Sequence, residues 1–136
     1  MKSVAEKMGI REDMRAYMLH APKKIGETLD IPDVKLSTRL TGTFDYIHFF
    51  AKNQSDMRKN FPRLRKHLKE TGSLWLSWRK GRVDTDLTLT KVIEIGYDYN
   101  LVESKTLRVD ESWAAMKFTF PKKGKVYKNS YGKLKS

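Results

Sequence analysis

Two apolar runs of strand length, separated by a helical pattern, constrain the fold of this chain more than any other feature. The runs cover residues 44–51 and 74–78, and each matches a buried strand in length and composition. Between them, Met57, Phe61 and Leu64 recur at helical spacing. A strand, a helix and a second strand in this order predict two parallel strands that are joined by a crossover helix.

The predicted boundaries of this crossover helix follow from its capping residues. Ser55 is predicted to be the N-cap and Gly72 the end, with Leu68 as the last member of the apolar face. Lysines and arginines occupy many of the other positions from 58 to 69, so one face is predicted to be core and the rest basic. Pro62 removes an i to i−4 hydrogen bond, which predicts a kink or two short helices.

Further strands and a second helix are predicted around this unit. The helix is predicted to start at an N-cap on Thr88 or Asp86 and to stop at Asn100. The last two strands alternate apolar and polar residues on either side of a turn at Asp110 and Glu111, which is typical of a hairpin. The additional strands are predicted at residues 16–19, 34–40, 102–109 and 115–120.

Alternation of strands and helices predicts an α/β fold with a mostly parallel sheet that is covered on both faces. The architecture is therefore expected to have three layers, and the C-terminal hairpin is expected to add an antiparallel strand at one edge. A chain of 136 residues is typical of one domain. We expect this domain to span residues 1–120, and residues 121–136, with six lysines and no acid, to form a flexible tail.

The order of these elements resembles the carboxyl half of class I methyltransferases. In that part of those proteins, a strand opening with Phe-Asp and a helix are followed by a leucine, a charged turn, a glycine and an apolar strand, before a final antiparallel hairpin. Here Phe44-Asp45 opens the first strand, and Leu68 and Gly72 precede the second. The resemblance implies a Rossmann-like, methyltransferase-like fold.

Additional motifs are similar to those of a small bacterial family of uncharacterised methyltransferase-like domains. The similarity covers about residues 8–120 and departs from the family at Arg79, where the family tends to have proline. Because that family has no established activity, the similarity implies the fold and leaves the function open. The motifs are Gly9-Ile10, Met14-Arg15, His20-Ala21-Pro22, Trp75-Leu76-Ser77-Trp78-Arg79-Lys80, Thr85-Asp86-Leu87-Thr88, Asp110-Glu111-Ser112-Trp113 and Lys117-Phe118.

The methyltransferase resemblance raises the question of S-adenosylmethionine binding. Such a site calls for a glycine-rich turn after the first strand and an acid at the end of the second, by the logic of dinucleotide sites. The turn at residues 20–26 contains one glycine, Gly26, and a proline, Pro22. The second strand ends near Arg39 without an acid. The sequence therefore predicts no cofactor bound in the standard mode, and a domain without catalysis.

Basic residues follow three of the predicted strands at their carboxyl ends. Ligands of open α/β sheets bind at this edge, and cations beside helix N-termini favour anions such as phosphate, nucleotide or polynucleotide. The alternative is that these bases are solvated loop charges. The tryptophan in this set is either a stacking platform or strand-end packing. The candidate anion-binding residues are His20, Lys23, Lys24, Lys52, Asn53, Trp78, Arg79, Lys80 and Arg82.

The net charge of +12 leaves two other functions open. Six of the 28 bases and none of the 16 acids lie in residues 121–136, so the rest of the chain carries +6. A nucleic-acid-associated protein could use this tail and the basic helix at residues 58–69, since phosphate attraction is independent of sequence. A methyltransferase with an atypical cofactor site is the other alternative.

Several classes of site are excluded or disfavoured by composition. The absence of cysteine excludes disulfides, thiolate zinc sites and iron–sulfur clusters. His20, His48 and His67 are not spaced as metal ligands, and His48, inside an apolar strand, is predicted to be a buried histidine with satisfied hydrogen bonds. We therefore predict no metal and no catalytic residue. Without a signal-peptide pattern or an apolar run of membrane-spanning length, the expected location is the cytoplasm, away from membranes.

Overall fold

Six strands form a single sheet in the computed structural model, which describes residues 14–21, 35–37, 39–80, 85–109, 112–121, 128–129 and 132–133. Along the chain the elements are β1 (Arg15–Leu19), β2 (Lys35–Ser37), β3 (Phe44–Phe50), α1 (Gln54–Arg65), β4 (Leu68–Arg79), α2 (Leu89–Asp98), β5 (Val102–Arg108), β6 (Trp113–Thr119), β7 (Lys128–Asn129) and β8 (Gly132–Lys133).

The sheet has the order β2-β1-β3-β4-β6-β5. The pairs β1–β2, β1–β3 and β3–β4 are parallel, whereas β6 is antiparallel to both β4 and β5. The α/β fold, the mostly parallel sheet and the C-terminal antiparallel hairpin are thereby confirmed. The predicted position of the antiparallel strand is wrong, because β6 lies between β4 and β5 and the edge strand is β5.

Both faces of the sheet are buried. On one face, α1 and α2 pack against strand residues that alternate inward, and Phe61 of α1 contacts Phe118 of β6 edge to face at 5.3 Å between ring centres. On the other face, Tyr46, Phe50 and Trp75 form a second apolar cluster, to which neither α1 nor α2 contributes. Burial of apolar surface on both sides is what a three-layer architecture requires.

The ends of α1 differ from the sequence prediction. Asn53, and not Ser55, is the N-cap, because its side chain accepts the N–H of Asp56 at 2.8 Å. The helix ends at Arg65, and it remains one helix through Pro62 rather than two. A lone proline is compatible with this arrangement, since α1 continues for only three residues beyond it.

Residues predicted to end the helix belong instead to β4. Leu68 opens β4, pairing with Phe44, and the register shifts between Phe44 and Tyr46. Gly72 lies inside this irregular part of the strand, where a Cβ atom would stand 3.0 Å from the carbonyl oxygen of Phe44. The glycine is therefore required by the close approach of two backbones and does not terminate a helix.

Of the two predicted caps of α2, Thr88 is the one used. Its Oγ1 atom accepts the N–H of Lys91 at 3.2 Å. Asp86 instead accepts the N–H of Gln54, the first residue of α1, at 2.8 Å. The prediction for Asn100 is confirmed, since this residue follows α2 with a φ of 63°, a conformation that asparagine tolerates.

We expect Thr88→Ala to lower the free energy of unfolding by about 1 kcal/mol, because the amide of Lys91 loses its side-chain acceptor. Thr90→Ala is the matched control, because Thr90 is the second residue of the same helix and is not its cap. This change should alter the free energy of unfolding by less than about 0.5 kcal/mol. Denaturant unfolding measures both values. Equal effects of the two substitutions would contradict the assigned cap.

The C-terminal segment contains one pair of short strands. β7 and β8 are antiparallel, and β8 lies near α2. Most other residues from 122 onward lie outside the described residues, so the domain of residues 1–120 and the flexible tail stay predictions. Within the described part of the chain, no helix combines the length and apolar composition needed to cross a lipid bilayer.

Candidate anion-binding site

A cavity of about 450 Å³ lies at the carboxyl edge of the parallel strands. This edge is where the chain leaves β1, β3 and β4, and where the antiparallel strand β6 enters the sheet. Polar, cationic and aromatic side chains all contribute to its wall. The wall is formed by His20, Phe50, Ala51, Lys52, Asn53, Arg79, Thr85 and Trp113.

Four of the candidate residues meet in this wall, namely His20, Lys52, Asn53 and Arg79. They come from three separate strand ends, as the parallel topology predicts. The positions of Lys23, Lys24 and Arg82 lie outside the described residues.

Trp78 and Lys80 are not part of the cavity wall. Trp78 is 6% exposed and packs in the core on the face that carries α1 and α2. Neighbouring residues of a strand point to opposite faces, and of this pair Arg79, not Trp78, lines the cavity. The stacking role is therefore not supported by the position of Trp78, which matches the packing alternative. Lys80 follows the strand, and its N–H donates to the carbonyl oxygen of Ser112 at 2.9 Å.

His20 leaves β1 in an unusual backbone conformation. Its φ is 59°, in the left-handed region that residues other than glycine rarely adopt. Its Nδ1 atom lies 4.0 Å from Oδ2 of Asp56, and its ring meets Phe49 edge to face at 5.9 Å between ring centres. Such outliers persist where surrounding contacts hold them, and they are common at binding sites.

Asp56 is held in place by other partners. Its carboxylate accepts the N–H of Lys52 at 2.9 Å and the Nδ2 group of Asn60 at 2.9 Å. The Asp56 side chain is 16% exposed, whereas that of His20 is 47% exposed. The imidazole at the cavity is therefore the more exposed partner, beside a carboxylate held by hydrogen bonds.

Hydrogen bonds connect the loop after β3 to the segment before α2. Thr85 donates its hydroxyl to the carbonyl oxygen of Lys52 at 2.6 Å and accepts the N–H of Leu87 at 3.2 Å. Gln54 donates both its N–H and its Nε2 group to Asp86, each at 2.8 Å. These bonds fix the backbone that carries Lys52 and Asn53.

The N-terminus of α1 adds less to an anion site than the sequence predicts. Asp86 accepts the Gln54 amide and Asn53 accepts the Asp56 amide, so two of the amides that an anion could use are occupied. The carboxylate of Asp56 also lies in the first turn, where it balances the positive end of the helix dipole. Side chains, rather than the N-terminus of α1, therefore supply the positive charge at the described cavity wall.

Arg79 joins the cationic part of the wall to its aromatic part. Its guanidinium carbon lies 5.5 Å from the ring centre of Trp113, within the range of a cation–π contact. The Nε atom of Arg79 is buried and has no hydrogen-bond partner among the described residues. Trp113 also meets Phe50 edge to face at 5.3 Å.

Four wall residues are not among the candidates predicted from sequence, namely Phe50, Ala51, Thr85 and Trp113. Trp113 begins β6, and only the antiparallel pairing of β6 with β4 places it opposite Arg79. Thr85 reaches the cavity through its contact with Lys52. Phe50 and Ala51 could have been found, because they are the last residues of a strand predicted from sequence.

A buried polar cluster lies behind the cavity. His48 is fully buried, and its two ring nitrogens lie 2.7 Å from the Tyr46 hydroxyl and 2.6 Å from the Ser77 hydroxyl. The His48 ring stacks on Phe50 at 4.2 Å between ring centres. Burial lowers the pKa of His48 to about 3 and raises that of Tyr46, so both are neutral near pH 7. The prediction of a satisfied buried histidine is confirmed.

The prediction that S-adenosylmethionine is not bound in the standard mode stays a prediction, because residues 22–34, which follow β1, lie outside the described residues. No carboxylate belongs to the described cavity wall, and β2 ends at Ser37, two residues before the exposed Arg39. Nor does the part of the chain that the structure describes contain a cluster of three or more metal-ligating side chains.

Comparison with known proteins identifies the fold. No protein-family model and no curated protein matches the sequence. The solved structure of a ribosomal protein L11 methylase from Lactobacillus delbrueckii subsp. bulgaricus matches with a TM-score of 0.56 and 14% identity, over 85% of this chain and 74% of that chain. A TehB-like SAM-dependent methyltransferase from Corynebacterium glutamicum matches with a TM-score of 0.56 and 10% identity, over 86% and 85% of the two chains.

A fibrillarin pre-rRNA processing protein from Methanococcus jannaschii is a third structural neighbour, with a TM-score of 0.51 and 12% identity over 81% of this chain and 67% of that chain. At such low identities the likeness concerns the fold alone. The chain has the Rossmann-like fold of class I S-adenosylmethionine-dependent methyltransferases, as its resemblance to them implies.

Proposed function

We propose that this chain is a non-catalytic methyltransferase-like domain that binds an anionic ligand in the cavity at the carboxyl ends of β1, β3 and β4. The observation that carries the proposal is the meeting of His20, Lys52 and Arg79 in one cavity wall. These residues are far apart in sequence, and the topology brings them together. Three basic side chains in one concave site match a negatively charged ligand.

The surroundings of the bases support binding over simple solvation. Arg79 is partly buried beside Trp113, and no acceptor for its Nε atom lies in the part of the chain that the structure describes. An aromatic and partly enclosed wall lowers the local dielectric, which strengthens attraction between a cation and a bound anion. A volume of about 450 Å³ lies within the usual range of small-molecule sites. A phosphate, or a larger ligand that carries one, would fit this volume.

Structural similarity to methyltransferases supports the statement that the domain is methyltransferase-like. The standard cofactor mode has little support, because the turn at residues 20–26 has a single glycine and the described wall has no carboxylate. An atypical S-adenosylmethionine-dependent methyltransferase remains the competing function. Binding of S-adenosylhomocysteine would favour it.

Nucleic-acid binding through α1 is less well supported than binding in the cavity. Arg58 pairs with Asp98 at 3.1 Å and Lys69 with Asp45 at 3.2 Å, so part of the basic surface is neutralised. Arg65 lies over the ring of Phe120, with its guanidinium carbon 4.9 Å from the ring centre. Deleting residues 122–136 tests the remaining contribution of the lysine-rich tail.

We expect the full-length protein to bind inorganic phosphate and adenosine monophosphate, with affinity at least about tenfold lower in the Lys52→Gln, Arg79→Gln double variant, because both permanent charges of the wall are lost. The matched control is Lys59→Gln, Lys66→Gln, which removes the same charge from an exposed position of α1 and from its exposed C-cap, both outside the cavity wall. Isothermal titration calorimetry measures the affinities, and thermal unfolding checks that each variant is folded.

Equal affinity losses in the two double variants would show general charge attraction and contradict the cavity site. Binding of S-adenosylhomocysteine without binding of phosphate or adenosine monophosphate would replace the proposal with the methyltransferase alternative. Binding that depends steeply on salt and disappears with residues 122–136 would favour the nucleic-acid alternative.

A further inference from the structure

The described wall of the cavity contains one histidine, His20, beside two more basic residues. Among the described residues, Lys52 and Arg79 supply two permanent positive charges to the wall, and Asp56 supplies one negative charge beside it. With a neutral His20 these groups carry a net charge of +1. With a protonated His20 they carry +2, so the charge of these described groups changes from one that matches a monoanion to one that matches a dianion.

A protonated His20 would have a charge partner on each side when an anion is bound. Nδ1 of His20 lies 4.0 Å from Oδ2 of Asp56, close enough for charge attraction once the imidazole is protonated. Hydrogen bonds from Lys52 and Asn60 hold that carboxylate in position. An imidazolium would therefore stand between a fixed carboxylate and the anion in the cavity, with favourable charges on both sides.

We propose that the cavity takes up a proton on His20 when it binds a dianionic oxyanion, and that it thereby selects tetrahedral dianions over monoanions as the pH falls. This inference rests on the proposed anion-binding function and specifies its ligand class. The ligand would carry a sulfate-like or phosphate-like group with two negative charges. Histidine side chains in general change charge between about pH 5 and 8, so the test compares affinities across this range.

Charged groups from each described element at the cavity contribute to the electrostatic environment of His20. Asp56 from α1 favours the protonated imidazole, whereas Lys52 after β3 and Arg79 of β4 disfavour it. A bound dianion offsets the two cations. Proton uptake is therefore linked to the ligand and needs no conformational change.

Sulfate and methanesulfonate are suitable probes, because both are tetrahedral at sulfur and neither changes its charge between pH 5.5 and 8.0. We expect the affinity of the full-length protein for sulfate to rise about tenfold from pH 8.0 to 5.5, and that for methanesulfonate to rise less than about threefold. Two-dimensional ¹H–¹⁵N NMR titrations give both affinities. The imidazole signals of His20 report its protonation directly.

Two histidine variants separate the role of His20 from general effects of pH. His20→Asn is chosen because asparagine tolerates the positive φ of this position. It should bind sulfate with nearly the same affinity at both pH values. His67→Gln is the control, since His67 donates to the carbonyl oxygen of Gly42 at 2.7 Å and lies outside the cavity wall. It should keep the pH dependence of the natural protein.

The outcomes separate this inference from the function on which it rests. Failure of sulfate to bind at any pH would contradict the proposed function itself. Sulfate binding with equal affinity at both pH values, or with the same pH dependence in His20→Asn, would leave the anion site intact and overturn the role of His20. An equal rise in affinity for methanesulfonate would overturn the selection of dianions.

Discussion

Gly96→Ala is expected to lower the free energy of unfolding by about 2 to 3 kcal/mol, although alanine is the better helix former. Gly96 lies in α2 where the helix meets the sheet, and a Cβ atom there would stand 2.1 Å from Cε1 and 2.6 Å from Cζ of Phe118. Phe118 is fully buried and also packs against Phe61, so its ring has little room to turn. The helix or the ring must shift to admit one methyl group.

A second substitution tests this cause. Phe118→Leu removes the ring atoms that the new Cβ atom would meet, so Gly96→Ala should cost less in that background than in the natural protein. The coupling between the two changes is expected to be about 1 to 2 kcal/mol. Denaturant unfolding of the four proteins in this cycle measures it. Additive effects would mean that the contact with Phe118 does not explain the glycine.

Local patterns predict the centre of this fold well. The runs at residues 44–51 and 74–78 are strands because they are apolar, short and rich in aromatic or branched side chains. The positions of Met57, Phe61 and Leu64 predict α1 because burial of one helical face is a property of the segment itself. Both signals lie within a dozen residues and need no knowledge of the rest of the chain.

The end of α1 could not be predicted in this way. Leu68 continues the helical spacing of the apolar face, yet it pairs with Phe44 in the sheet. The N–H of Phe44 donates to the carbonyl oxygen of His67 at 2.8 Å, which commits the chain to the strand before the periodicity ends. Pairing with β3 therefore ends α1 at Arg65, whereas local propensity predicts its end at Gly72.

The candidate site likewise contains residues that could be predicted from local sequence and residues that required the fold. His20, Lys52 and Arg79 could be assigned from sequence because strand ends of a parallel sheet share an edge. Placing Trp113 required the order of β4, β6 and β5 in the sheet. Occupation of the α1 N-terminus by Asp86 required a contact over 32 residues, so the sequence overstated the helix contribution to anion binding.

His48 makes a second large effect predictable, on stability as a function of pH. Its pKa in the folded protein is about 3 because burial disfavours the charged form, and the ordinary value of histidine is 6.5. Below pH 6.5 the unfolded chain therefore binds a proton that the folded chain does not. The contribution to stability is fully present above pH 6.5 and is lost as the pH falls from 6.5 toward 3.

From this shift we expect a loss of about 2 kcal/mol in the free energy of unfolding between pH 7 and pH 5, before most carboxylates titrate. Denaturant unfolding should be measured in chloride buffers, because sulfate or phosphate would add the ligand linkage proposed for His20. The buried hydroxyls of Tyr46 and Ser77 stay uncharged in this range and add no slope of their own.

His48→Gln separates the titration of His48 from that of the two more exposed histidines. A glutamine amide can both donate and accept, as a neutral imidazole does between Tyr46 and Ser77. The variant should be less stable at pH 7, because the flat ring that stacks on Phe50 is lost. Its stability should then change little down to pH 5. Retention of the full loss in His48→Gln would assign the acid sensitivity to His20, to His67 or to carboxylates, and would mean that burial of His48 does not control stability in this range.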